Sequence, residues 1–115
     1  MKNSSKSTRL LPLDELVVGK TRRVEHLDHA ILLCRVEDSV YAVNDLCTHE
    51  DISLSLGVLC EHRLRCPLHG SEFDVRTGKV LDEPADTDLP TYPVAIIDGW
   101  VCLQHTPTES KDSAA

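Results

Sequence analysis

The sequence predicts an all-β fold in two parts, a basal unit built from both ends of the chain and a loop-rich insertion between them. Apolar and β-branched runs of strand length lie toward both ends of the chain. The middle holds glycine and proline at short intervals and shows weak periodicity. No stretch carries the sustained apolar stripe of an amphipathic helix.

The N-terminal half of the basal unit contains a predicted hairpin. A short mixed strand at 21–27 precedes the apolar run HAILLCRVE at 29–37. A polar break at Asp38 and Ser39 separates that run from VYAV at 40–43. Two strand-like runs joined by a short polar turn are typical of an antiparallel hairpin.

The other half supplies a second hairpin. The segment TYPVAII at 91–97 is followed by Asp98-Gly99 and then by WVCLQ at 100–104. An Asp-Gly pair between two apolar runs is a strong signal for a two-residue turn.

The insertion spans about 45–88 of a domain at 9–104. Short strands are expected at 63–66 and 72–75, with a turn at 76–78 and one helical turn at 53–56. The polar stretches 1–8 and 105–115 are predicted to be disordered tails.

The charge balance narrows the class of partner. The chain has 19 acidic residues against 12 lysines and arginines, a formal net charge of −7. This excludes a typical nucleic-acid binder and suits docking on basic protein surfaces. We find no secretory leader or membrane-spanning run, so we expect a cytoplasmic protein whose five cysteines are more suited to metal binding than to disulfides.

Four residues in the insertion carry the strongest chemical signal. Cys47 and His49 are separated by sixteen residues from Cys66, which precedes His69 by three positions. Two thiolates and two imidazoles can hold a mixed-ligand [2Fe–2S] cluster or a structural zinc ion. Zinc sites usually pair like ligands, whereas this order alternates cysteine with histidine. The cluster is therefore the favoured interpretation.

Three features resemble the Rieske ferredoxins: the motif CTH, the sixteen-residue gap after it, and CPLHG followed by SEFDVRTGKV. More narrowly, they resemble the ferredoxin components of bacterial aromatic-ring-hydroxylating dioxygenase systems, and the similarity extends over roughly 9–104. The resemblance implies a Rieske-like fold, in which an antiparallel β-sandwich basal unit carries an inserted cluster-binding subdomain. It also implies one [2Fe–2S] cluster per chain, with Cys47 and Cys66 on one iron and His49 and His69 on the other.

The resemblance further implies an electron carrier rather than an enzyme. The protein would pass single electrons from a flavin-containing NAD(P)H reductase to a terminal Rieske oxygenase, as a monomer with no nucleic-acid or membrane partner. No GxGxxG fingerprint is present for a dinucleotide of its own. The alternatives are the small subunit of an assimilatory nitrite reductase and a zinc-stabilised interaction module. An oxygenase in its own right would need more length and a second iron site.

Departures from related proteins predict a low reduction potential. Rieske proteins of membrane-bound cytochrome complexes carry an extra cysteine in each ligand loop, where this chain has Asp51 or Ile52 and then Leu68. Ser71 retains a possible hydrogen bond to sulfur, but Phe73 lacks the hydroxyl of the matching tyrosine. With fewer donors, we expect a potential of roughly −150 mV, near the bottom of the Rieske range.

Acidic residues are expected beside the cluster, where they would steer a basic partner. They are Glu50, Asp51, Asp82, Glu83, Asp86 and Asp88. By the resemblance, the loop 82–90 covers the cluster. We interpret Cys34 and Cys102 as buried core residues and Cys60 as a cysteine that is not a ligand. The remaining histidines, His26, His29, His62 and His105, are interpreted as surface side chains.

Overall fold

The computed structural model describes residues 6–26, 29–48, 52–67, 70–82 and 87–105. Within these ranges the secondary structure is β-strand with two short 3₁₀ turns, Leu13–Glu15 and Leu54–Leu56. The strands are β1 Lys6–Pro12, β2 Thr21–His26, β3 His29–Val36, β4 Ser39–Asn44, β5 Val58–Cys60, β6 Arg63–Arg65, β7 Glu72–Asp74, β8 Val80–Asp82, β9 Thr91–Tyr92, β10 Val94–Ile97 and β11 Trp100–His105. The predicted all-β class is confirmed.

The strands form three antiparallel sheets. The outer basal sheet has the order β1-β11-β10, and the inner basal sheet has the order β2-β3-β4-β9. The insertion forms a third sheet, β5-β6-β7-β8. Both predicted hairpins are present, as β3–β4 and β10–β11. Since β1 pairs with β11 and β4 pairs with β9, both ends of the chain build the basal unit.

Strand β3 of the inner basal sheet is buried on both faces. Ile31 and Leu33 of β3 pack in a core that also contains residues of the outer sheet, including Val101. Leu32 and Cys34, which alternate with them, pack in a second core shared with the insertion. Because successive side chains of a strand point to opposite faces, a strand between two cores must be apolar throughout. This explains the apolar run AILLC at 30–34.

The insertion sheet presents one apolar face to the second core. Leu59, Leu64, Phe73 and Val80 stand opposite one another in register and pack against this core. The neighbouring residues Arg63 and Arg65 are exposed. Strands β6 and β7 and the helical turn were predicted. Strands β5 and β8 were not.

The predicted tails were too long. Lys6, Ser7 and Thr8 belong to β1, where they pair with His105, Gln104 and Leu103 of β11. Polar composition suggested disorder, but the main-chain hydrogen bonds of a strand do not depend on apolar side chains. The remaining tail residues, 1–5 and 106–115, lie outside the described part of the chain. Within the described ranges, no helix has the length and apolar character that a membrane crossing requires.

Candidate metal centre

Two of the four predicted ligands are described, and both are buried. Cys47 follows β4, and Cys66 follows β6 directly. The two residues are 4% and 2% exposed and belong to the same apolar core. His49 and His69 lie outside the described residues. The described part of the chain therefore contains no group of three metal-binding side chains, and the full ligand set stays a prediction.

The two cysteines make the same main-chain hydrogen bond to the residue five positions later. The amide of Cys47 donates a hydrogen bond to the carbonyl oxygen of Ile52, five residues later, at 3.1 Å. The amide of Cys66 donates to the carbonyl oxygen of Ser71, also five residues later, at 2.7 Å. Each loop thus returns to its own cysteine. Equivalent loops can present equivalent ligands to a common centre.

A buried carboxylate anchors the first loop. Asp45 is 1% exposed and accepts hydrogen bonds from Arg23 Nε at 3.1 Å and from Ser53 Oγ at 2.5 Å. Its other carboxylate oxygen accepts the amide of Ser55 at 3.1 Å. These bonds connect the residues flanking the loop to β2 of the basal unit. Sequence reasoning missed Asp45, because its partners lie on other elements.

Glycine makes the second loop possible. Gly70 has a φ of +82°, a conformation that residues with a side chain rarely adopt. Its amide donates to the carbonyl oxygen of Cys66 at 3.2 Å. The glycine therefore closes the loop directly after the position of His69.

The segment that ends the insertion packs against the first loop. Thr48 Oγ1 donates to the carbonyl oxygen of Thr87 at 2.7 Å. The Asp88 carboxylate accepts a hydrogen bond from the amide of Val80 at 2.9 Å, so this acidic residue also has a structural role. The amide of Leu89 donates to the carbonyl oxygen of Gly78 at 2.7 Å. These residues belong to the loop 82–90 that was expected to cover the cluster, of which 83–86 lie outside the described residues.

The surroundings of the two thiols suit a [2Fe–2S] cluster. All five cysteines are described, and no disulfide joins them. Cys47 and Cys66 share their core with the fully buried Leu54, Leu64 and Phe73. Thiolates are the ligands that iron–sulfide centres require, and burying a thiolate without a cation would be costly. The donor set and its burial therefore fit the cluster.

The other cysteines lie in different environments. Cys34 and Cys102 are buried, as predicted, and Cys60 is exposed at the β5–β6 hairpin. Burial, together with the nearby charge of Asp45, raises the pKa of the Cys34 thiol to about 12. Among the described residues, none of these three cysteines belongs to a group of side chains that could hold a metal ion.

The histidines that were assigned to the surface have varied exposure. His29 is exposed, whereas His26 and His62 are half-buried. The His62 ring packs edge-on against Tyr41, with ring centroids 5.7 Å apart. The surface assignments of His26 and His62 were therefore only partly right, and the side chain of His105 is not described.

Sequence comparison shows extensive similarity to one family. A family model of the Rieske [2Fe–2S] domain matches residues 6–93. The chain is 42% identical over 92 residues to the ferredoxin component of naphthalene 1,2-dioxygenase/salicylate 5-hydroxylase systems from Ralstonia sp., covering 80% of this chain and 88% of the relative. It is 41% identical over 92 residues to the 3-phenylpropionate/cinnamic acid dioxygenase ferredoxin subunit of Photorhabdus laumondii, covering 79% and 87%.

Solved structures extend this similarity to the fold. A chain from the complex of reduced oxygenase and oxidized ferredoxin in carbazole 1,9a-dioxygenase superposes with a TM-score of 0.82 at 31% identity, covering 87% of this chain and 94% of the other. A chain assigned as the small subunit of an NADPH nitrite reductase superposes with a TM-score of 0.77 at 26% identity, covering 85% and 97%.

Proposed function

This chain belongs to the Rieske [2Fe–2S] domain family, and we propose that it is the electron-carrying ferredoxin of an aromatic-ring dioxygenase system. The similarity to ferredoxin components covers about four-fifths of this chain and most of each relative. The protein carries one [2Fe–2S] cluster and is an electron carrier rather than an oxygenase. The observation that carries the proposal is the pair of buried thiols at the start of two equivalent loops.

We assign the ligands as Cys47 and Cys66 on one iron and His49 and His69 on the other. When bound, the cluster supplies reversible one-electron transfer. The protein supplies the thiolates, keeps water away from them with the second core, and orients the first loop through Asp45. The contact between Thr48 and Thr87 holds the following segment against that loop.

The partners follow from the relatives. A terminal Rieske oxygenase is the proposed acceptor, supported by the similarity to a chain from an oxygenase–ferredoxin complex. A flavin-containing reductase is the proposed donor. We further propose a cytoplasmic monomer that does not act on nucleic acid, in keeping with its acidic charge.

A ligand substitution with a matched control tests the site. We expect Cys66→Ser to lose acid-labile sulfide, iron, visible absorption and the EPR signal of the reduced cluster. Cys60→Ser changes the same residue type on the neighbouring strand and should retain all four signals, since Cys60 is exposed and six residues away. Wild-type protein that is colourless and contains zinc without iron would contradict the proposal.

The small subunit of a nitrite reductase is the second candidate, favoured by the similarity of that fold. The two functions differ in the acceptor. Reduced protein should support substrate turnover by a dioxygenase supplied with its reductase, and should not restore activity to a nitrite reductase that lacks its small subunit. The reverse result would favour the second candidate.

A further inference from the structure

We propose that Arg65 raises the reduction potential of the centre through the positive charge of its guanidinium, which lies against the second ligand loop. The inference deepens the proposed function and rests on its ligand assignment. Arg65 is the last residue of β6 and directly precedes Cys66. Leu64 before it points into the core, so Arg65 extends along the exposed face of the insertion sheet.

The contact is between the guanidinium and Gly70. A Cβ atom built on Gly70 would lie 3.2 Å from Nη2 and 3.4 Å from Nε of Arg65. The guanidinium thus occupies the space that a side chain at position 70 would fill. Gly70 directly follows His69 in the chain, so a full positive charge lies against the backbone of this loop.

No described carboxylate neutralises that charge. Glu72 stands opposite Arg65 in the β6–β7 ladder, yet its carboxylate pairs with Arg63, at 2.6 Å. Among the residues that the structure describes, no ion pair involves Arg65. A reduced cluster carries one more negative charge than an oxidised one, and a nearby cation stabilises it.

Arg63 provides the matched control. It carries the same charge on the same strand and is also exposed, but it lies two residues farther from Cys66 and is paired with Glu72. A general effect of net charge would act from both positions. A local effect on the loop would act from Arg65 alone.

The test is the midpoint potential of cluster-loaded variants. We expect Arg65→Gln to lower the equilibrium constant for reduction by about three- to tenfold, a fall of roughly 28–59 mV for a one-electron couple. Arg65→Lys, which keeps the charge, and Arg63→Gln should both remain within about twofold of wild type. The difference between Arg65→Gln and wild type should shrink as salt is raised, because exposed charges are screened.

Several results would overturn the inference. An unchanged potential in loaded Arg65→Gln, or equal falls in Arg65→Gln and Arg63→Gln, would show that Arg65 has no special effect. If Arg65→Gln does not hold the cluster, Arg65→Lys decides, since a large fall there would exclude charge as the cause. If only the inference about Arg65 is wrong, the wild-type protein still contains iron and acid-labile sulfide. If the proposed function is wrong, the wild-type protein lacks both.

Discussion

The cysteines of this chain show how environment separates residues of one type. Cys47 and Cys66 are buried at the start of loops, Cys34 is buried between two strands, and Cys60 is exposed. The sequence distinguished the first two by the motifs CTH and CPLHG that contain them, since Cys60 and Cys102 also have a histidine two or three positions later. The difference in burial then predicts that Cys34 and Cys60 differ in reactivity toward thiol reagents.

We predict that iodoacetamide at pH 8 modifies Cys60 and leaves Cys34 intact in the folded protein. The reagent attacks the thiolate, and a pKa raised to about 12 keeps the fully buried Cys34 thiol protonated well above this pH. Peptide mass spectrometry distinguishes the two sites. Modification of Cys34 at the rate of Cys60 would contradict the burial argument, and unfolded protein serves as the control in which both react.

Phe73 carries a second prediction at this scale. It is fully buried in the same core as Cys47 and Cys66, and by the family resemblance a tyrosine at this position would donate a hydrogen bond to sulfur. We expect Phe73→Tyr to raise the potential above the wild-type value, which is itself predicted at roughly −150 mV, because an added donor stabilises the reduced state. Phe73→Leu is the control without a hydroxyl and should show no rise. A wild-type potential above about +150 mV would reject the underlying argument.

At the scale of elements, turns with positive φ define the hairpins. Asp98 and Gly99, at +52° and +80°, form the predicted two-residue turn between β10 and β11. Glu61 has a φ of +57° in the β5–β6 turn, where the sequence carries no turn signal. Gly78, at +80°, combines the same backbone conformation with close packing against Leu89. Substitutions at Gly78 and Gly99 therefore separate the cost of the backbone conformation from the cost of steric overlap.

We predict that Gly78→Ala destabilises the protein more than Gly99→Ala. Both substitutions cost about 1–2 kcal/mol for an alanine in the left-handed region. Nothing lies within 4 Å of a Cβ on Gly99, whereas a Cβ on Gly78 would overlap the carbonyl oxygen of Leu89. Thermal unfolding of the cluster-loaded proteins measures the difference. Equal decreases in Tm would indicate that the segment at Leu89 moves away without cost.

At the scale of the whole molecule, the three sheets enclose two separate apolar cores. The outer and inner basal sheets share one core, and the inner sheet shares the second core with the insertion that contains the cysteines. The core that contains Cys47 and Cys66 thus packs against the inner basal sheet, whose other face packs against the outer basal sheet. Acidic residues of 82–88 follow the insertion sheet along the chain, so charge steering can be tested separately from the support.

We predict that the triple change Asp82→Asn, Glu83→Gln and Asp86→Asn flattens the salt dependence of electron transfer to the oxygenase. Neutral side chains would remove the attraction to a basic partner surface. Asp88 is left intact because its carboxylate accepts the amide of Val80. The side chains of 82–86 are not described, so their position near the cluster stays a prediction.

A control with equal charge change uses exposed carboxylates of the basal unit. Asp14→Asn, Glu15→Gln and Asp98→Asn remove three charges around the contact of Leu13 with Gly99. Stopped-flow rates at several ionic strengths should show a near wild-type slope for this control. Identical slopes for wild type and both triple variants would remove the steering hypothesis.

The sequence by itself determined the all-β class, both basal hairpins, the two cysteines at the loops and the family. These properties depend on local signals: alternation with period two, turn chemistry and ligand spacing within a few residues. The position of the two histidines in space stays a prediction, since both lie outside the described residues.

Only the tertiary structure decided which distant residues support the site. Asp45 meets Arg23, 22 positions away, and Thr48 meets Thr87, 39 positions away. The strand at Lys6–Pro12 exists because β11 pairs with it, although its polar start predicted a tail. Such contacts depend on how the sheets stack, and stacking is settled by the burial of whole faces rather than by any local pattern.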